Sequence, residues 1–242
     1  MAPLTAQLSP LRFANGSAAY TSPAGHRVLA AVNGPVDPAR RDTLKPDEAT
    51  LDILVKPAAG ASSVGERYAE SIIRGLLARV VLLRDPALAR RAVVVTLVVE
   101  ANPAAPGRVD LRGASYLPVL PALLHAALLA LVSAAVPMSM MYSAVLVAVD
   151  DPAGDGGSVR PDPTPAATQA AASLHVLAFS SQGHLLLSES HGACDWPTWE
   201  RVHDCAQAVC RGGPAGGGVE GCLREAAEQH ARHALSWTLA TP

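Results

Sequence analysis

Residues 113–149 read GASYLPVLPALLHAALLALVSAAVPMSMMYSAVLVAV, and no charged side chain occurs between Gly113 and Val149. If the chain crossed a lipid bilayer, it would do so here. Pro121 suits the first position of a helix and Pro137 ends it, which leaves about 16 residues, or roughly 24 Å at about 1.5 Å per residue. A hydrocarbon core of roughly 30 Å is too thick for that. The segment is rich in alanine and carries His125. It reads as a central helix buried in protein, and no membrane partner is expected. Tyr142 to Asp150 then continues as a strand.

Working outward toward the N-terminus, Ala92–Ala101 is nearly all β-branched and is expected to form a strand buried on both faces. A loop from Asn102 to Gly113 joins it to the central helix. Before it, Ser63 followed by Glu66 three residues later is a capping box. It opens a helix whose apolar face is Ala69, Ile73, Leu76 and Val80. Leu51, Ile53 and Val55 alternate as a half-buried strand, after a polar loop from Gly34 to Ala49. The first fifty residues read as a meander, with a tight hairpin expected at Asn15-Gly16, a reversal at Ser22–Gly25 and a strand from Arg27 to Asn33. Toward the C-terminus, Asp151–Thr164 is a long polar turn and Ser173–Ser180 with His184–Glu189 a hairpin. Two helices, Trp196–Arg211 and Val219–Trp237, close the chain. The element order describes an α+β fold, mixed β-sheets packed with α-helices.

The 242 residues are 50% hydrophobic and 17% charged, with a formal net charge of -2. That supports one sizeable core and excludes a whole-surface attraction to nucleic acid. Aromatics are 4% of the chain, so no stacking platform for bases is expected. Met1–Pro10 has neither a basic n-region nor an apolar h-region, so no secretory signal is expected. All four cysteines fall between Cys194 and Cys222, which reads as a reducing, intracellular setting. No C-x-x-C occurs and no metal is expected. Cys205, between Val202 and Val209, reads as a small hydrophobe. His230 falls on the stripe of Leu223, Ala227, Ala234 and Trp237 and reads as a core or interface histidine. Gly216–Gly221 matches G-x-G-x-x-G but follows a helix, so it reads as a flexible loop with no dinucleotide cofactor. Asp150, Asp151 and Asp155 lack calcium-loop spacing and read as a solvated turn. No serine-hydrolase elbow is present.

Several strings in this order resemble the RNase PH-like family. Asn15-Gly16-Ser17-Ala18 is similar to its D-G-S-A turn, and Gly25-His26-Arg27-Val28-Leu29 with Gly34-Pro35 to its G-x-T-x-V-L and G-P strings. Glu70–Arg74 resembles its first helix, Ala130–Val132 with Val136-Pro137-Met138 its A-L-x-D-A-G-I-P-M segment, and Asp162-Pro163-Thr164 its L-D-P turn. The resemblance runs from about Leu8 to Leu235. It implies the RNase PH-like fold (ribosomal protein S5 domain 2-like) as a single domain over 1–242, with an N-terminal part over about 8–138 and a C-terminal part over 139–238. Within the family, the short N-terminus and the strings Gly34–Asp37 and Thr50–Pro57 look most like ring subunits of the eukaryotic exosome. That implies as partners homologous ring subunits, cap proteins and RNA threaded through the assembled channel, and locations in nucleus, nucleolus and cytoplasm.

Active members of the family use phosphate to cleave the 3′-terminal phosphodiester of RNA, and phosphate needs an anion cradle. The family builds it from G-S-R at the start of the central helix. The matching residues here are about Ser115–Val119, and no Arg or Lys occurs between Arg112 and Arg160. The family's E-D-x5-D acids serve metal or general-acid roles. Between Asp162 and Glu189 there is no Asp or Glu. The family's RNA-holding Arg pair aligns near Val64 and Gly65, where Arg67 is the nearest cation. The expectation is a catalytically inactive structural subunit in RNA processing and decay, including ribosomal RNA maturation, with no catalytic, metal or cofactor residues and Arg67 as RNA contact. An active phosphorolytic exoribonuclease is the alternative.

Overall fold

The computed structural model describes residues 4–37, 47–57, 62–103, 116–150, 158–212 and 218–236. One sheet has the strand order β1-β2-β3-β5-β4, where β1 is Thr5–Leu8, β2 Gly16–Thr21, β3 Arg27–Val36, β4 Thr50–Lys56 and β5 Ala92–Ala101. β4 and β5 run parallel with Leu51 opposite Val93, and α1 (Val64–Val80) makes the crossover between them. The other pairings are antiparallel. A second sheet, ordered β7-β6-β8-β9, is antiparallel throughout: β6 is Tyr142–Val149, β7 Val159–Pro161, β8 Ser173–Ser180 and β9 Leu185–Gly192. Between the sheets lies α2 (Leu120–Ser133), and α3 (Pro165–Ala170), α4 (Trp196–Arg211) and α5 (Val219–Ala234) complete the fold.

α2 is the buried helix its lack of charge demands. Leu123, Leu124, Leu128, Leu129 and Leu131 are fully buried, each contributing about 1.5–3 kcal/mol of apolar burial. Pro121 stands in the first turn. The helix stops at Ser133, before Pro137, because Ala135 turns to φ +52°. β6 runs alongside with all eight residues buried. Its two faces enter different layers: Ala144 and Leu146 join the cluster around α2, whereas Val145, Val147 and Val149 pack with Leu177, Phe179 and, from α4, Val202, Ala206 and Cys210.

Sheet coverage corrects the expectation that β5 is buried on both faces. Val93, Val95, Leu97 and Val99 are buried while Val94, Thr96 and Val98 are partly exposed. Among the described residues, helices cover one face of the first sheet, and the strand buried on both faces is β6. Asn15-Gly16 is not the expected tight hairpin either. β1 and β2 pair from Leu8 opposite Ala18 outward, and Gly16 opens β2 without a positive φ. It is glycine for a different reason: a Cβ there would lie 2.3 Å from the Ala134 nitrogen and 2.5 Å from the Ala130 oxygen, where the C-terminus of α2 crosses the strand. Ser22–Gly25 is the expected reversal, with Gly25 at φ +89°. The polar turn expected over Asp151–Thr164 contains β7 from Val159; residues 151–157 lie outside the described residues, as does Trp237, the expected end of the last helix.

Cys210, not Cys205, is the cysteine packed in the core, and burial pushes its thiol up to about 12. His230 is partly exposed. No cluster of three metal-ligating side chains occurs among the described residues, and no described helix is long and apolar enough to cross a membrane.

Candidate nucleic-acid and phosphate site

The beginning of α1 is built around Glu66. Its carboxylate accepts the backbone N–H of Ser63 at 2.7 Å, as the S-x-x-E spacing requires, and also receives the Ser63 and Tyr116 hydroxyls. Glu66 is fully buried. Burial alone would raise its carboxyl, but these donors outweigh it and hold the group below the usual carboxylate range. Tyr116 belongs to the turn entering α2, so this contact ties the first turns of α1 and α2 together. One turn on, Glu70 accepts the Val55 N–H at 2.9 Å with one carboxylate oxygen. The other lies 3.9 Å from Arg67, whose side chain is 74% exposed. So loose an ion pair on a solvated guanidinium is worth little. Arg67 therefore sits at the surface beside the joined helix starts, free to swing toward an anion.

The start of α2 offers an anion little. Tyr116, Leu117, Pro118 and Val119 precede it, and its first turn has no charged residue; Ser115 and the preceding loop lie outside the described residues. Beside it is a cavity of about 30 Å³, room for about one water, lined among others by Tyr20, His26, Pro118, Pro121, His125 and Asp162. Its polar groups are arranged as acceptors or spent in pairing. His125 Nε2 accepts the Ala144 N–H at 2.9 Å, so its proton is on Nδ1 and is donated to the Tyr20 hydroxyl at 2.9 Å. Burial lowers His125 to about 3 and His26 to about 4, so both are neutral. Nδ1 of His26 is buried without a hydrogen-bond partner, and burial raises Asp162. A neutral imidazole pair with a carboxyl group does not attract phosphate.

On β8 no acid is present. Ser173 and His175 are buried there instead, in a chain from Ser173 Oγ to His175 Nε2 at 3.0 Å and from His175 Nδ1 to Ser190 Oγ at 2.8 Å. Burial lowers His175 too. These pairings have no signal along the chain, because Tyr116 and Glu66 are 50 residues apart and Tyr20 and His125 are 105 apart. It also missed an aromatic ladder. Against the expectation from a low aromatic content, Trp196 stacks on Trp199 at 5.4 Å, and Trp199 on His203 at 5.5 Å.

No family model matches the chain. It is 27% identical, over 193 residues, to exosome complex component RRP46 of Saccharomyces cerevisiae, a stretch that covers 77% of this chain and 81% of that protein. The crystal structure of rice (Oryza sativa) Rrp46 superposes with a TM-score of 0.70 at 25% identity, covering 84% of this chain and 86% of that one. The fold is RNase PH-like. An archaeal exosome core superposes at a TM-score of 0.66 over 95% of this chain and 86% of its own, and at 12% identity it speaks for the fold alone. The chain thus has this fold's frame of two sheets around α2, and the start of that helix is apolar and uncharged.

Proposed function

We propose that this chain is a structural subunit of an exosome ring, acting in 3′-5′ RNA processing and decay, including ribosomal RNA maturation, and that it is catalytically inactive. Its partners are homologous RNase PH-like ring subunits, cap proteins, and RNA threaded through the assembled channel. The likeness to the yeast and rice Rrp46 proteins supports the place in the ring. One observation carries the inactivity: the entry to α2, which stands where the family has its phosphate cradle, is Tyr-Leu-Pro-Val, and no Arg or Lys follows it before Arg160. Two phosphate groups cannot be brought together there without a cation to offset their charge. The missing acids between Asp162 and Glu189 remove the leaving-group chemistry as well.

In this reading the chain is a single domain over 1–242, its parts over about 8–138 and 139–238 sharing the core around α2. Arg67 supplies one phosphate contact to passing RNA. The protein works in nucleus, nucleolus and cytoplasm. Native mass spectrometry of the tagged protein from its own cells, with a phosphorolysis assay on the same sample, is the test. Recovery with about eight different subunits and no phosphate-dependent release of nucleoside diphosphates is the expected result. A homo-hexamer that consumes RNA with phosphate would overturn it.

A further inference from the structure

In the cavity beside the start of α2, both sheets meet. Tyr20 of β2 and His26, just before β3, line it from the first sheet, Pro121 and His125 from α2, Ala144 from β6, and Asp162 from the turn after β7. The direction of its hydrogen bonds is set from outside. The Ala144 N–H can only donate, so His125 accepts at Nε2 and must donate from Nδ1 to the Tyr20 hydroxyl. Tyr20 is 2% exposed and makes no other hydrogen bond among the described residues, so this hydroxyl still has its own proton to give. His26 is fixed from its far side. Its ring is bonded by Asn102, a contact that favours the protonated ring, as a carbonyl accepting from a ring N–H does. Nδ1 takes no part in that bond and has no partner, so the proton sits on Nε2 and Nδ1 offers a bare lone pair in a residue 3% exposed. The Asp162 carboxyl is near enough to act on the Tyr20 phenol, and it presents an acceptor oxygen whether ionised or not.

These roles select the occupant. An ammonium or metal cation suits His26 and Asp162 but cannot accept the Tyr20 proton. A carboxylate accepts that proton but turns lone pairs toward His26 Nδ1 and Asp162. A hydroxyl group does both, because its oxygen accepts from Tyr20 while its proton goes to His26. Ser22 Oγ, also in the wall, accepts the His26 backbone N–H at 3.2 Å, and the remaining side chains of the wall are apolar. The volume, about 30 Å³, suits one oxygen-sized group with two to four polar partners. Donors and acceptors buried this deeply are costly to leave unmet.

We infer that this cavity is a binding site for one neutral hydroxyl group, of a water molecule or of a small alcohol, which accepts from Tyr20 Oη and donates to His26 Nδ1. Held there, it joins β2 and the approach to β3 to the turn at Asp162, whose own N–H is fixed on the Leu146 carbonyl at 2.9 Å. A water has a second proton for the Asp162 carboxyl, whereas an alcohol has a carbon in its place. The inference stands apart from the ring reading, since every partner belongs to this chain.

The test is a crystal structure of the full chain at a resolution that orders internal water, from untreated crystals and from crystals soaked in ethylene glycol or inorganic phosphate. Long-range proton–nitrogen spectra of the histidine rings in solution accompany it. Untreated crystals are expected to show one peak within hydrogen-bond distance of both Tyr20 Oη and His26 Nδ1. In the glycol soak, an unchanged peak assigns the site to water, and density running on from it through carbon assigns it to the hydroxyl of a larger molecule. The spectra at neutral pH should place the proton on Nε2 of His26 and on Nδ1 of His125, with His26 Nδ1 shifted as a nitrogen that accepts a hydrogen bond. Tyr20→Phe removes the donor and should lower the occupancy of the peak by about half or more. No density in the cavity, phosphate bound there, a proton on Nδ1 of His26, or unchanged occupancy in the variant would overturn the inference.

Discussion

Acid should loosen this protein through its buried histidines, and His125 is the one to change. It joins the two sheets through α2, linked to Tyr20 on one side and to the Ala144 N–H on the other, and it is 2% exposed. Burial lowers it from 6.5 to about 3, and lowers His26 from 6.5 to about 4. Above pH 6.5 both are neutral whether the chain is folded or not, and their contribution is complete. Below that, the unfolded chain binds protons that the folded one refuses, so stability falls as pH falls, down to the folded values. Each histidine then costs about 1.4 kcal/mol per pH unit. Between pH 6.5 and 5 the pair removes roughly 4 kcal/mol, a large part of the 5–15 kcal/mol typical of a domain. His175 is shifted the same way. Asp162, raised by burial, works in the opposite sense at the acid end. Urea unfolding followed by far-UV circular dichroism at pH 7, 6 and 5 measures the loss. His125→Gln should lower stability at pH 7, yet lose only about half as much as the wild type on going to pH 5. An equal acid loss in variant and wild type, or a flat wild-type profile, would refute the reasoning.

Three further outcomes follow from the packing and the surface. Gly16→Val should cost more than about 3 kcal/mol or prevent folding, because its Cβ meets the backbone of α2 rather than a movable side chain; thermal unfolding and soluble yield check it, and a melting point within a degree or two of wild type would contradict the contact. Tyr116→Phe removes one donor from the buried Glu66 carboxylate and should cost about 1–3 kcal/mol at pH 7. That cost should shrink as acid protonates Glu66, which urea midpoints at neutral and acid pH would show. Arg67→Glu should leave folding intact, since the side chain is largely solvated. It should weaken RNA binding by the assembled complex and reduce the salt slope by about one; an unchanged slope removes Arg67 from the RNA path.

For the candidate site the sequence offered a composition: no Arg or Lys between Arg112 and Arg160 and no Asp or Glu between Asp162 and Glu189, a property of a window that no alignment register changes. Arg67 could be singled out by its place near the start of α1, but its loose pairing with Glu70 is a fact of distance. Local signals also served well. Ser63 and Glu66 are three residues apart, and the capping box they promise closes in the structure. Pro121 and the uncharged run around it fix α2 as a buried helix, because a stretch with no polar face has nowhere else to go.

Sequence alone therefore determined what depends on neighbours along the chain: the helix starts, the alternation of β4 and the burial of α2. Tertiary structure decided what depends on neighbours in space. β5 and β6 are both apolar runs, and only the layering makes one of them half-exposed and the other buried on both faces. Gly16 reads as a turn residue in one dimension and is a contact for α2 in three. The stacked Trp196, Trp199 and His203 were in view from the start, three and four residues apart. Their rings form a column because α4 lies on the second sheet with Phe179 beneath them, and such packing has no one-dimensional signature.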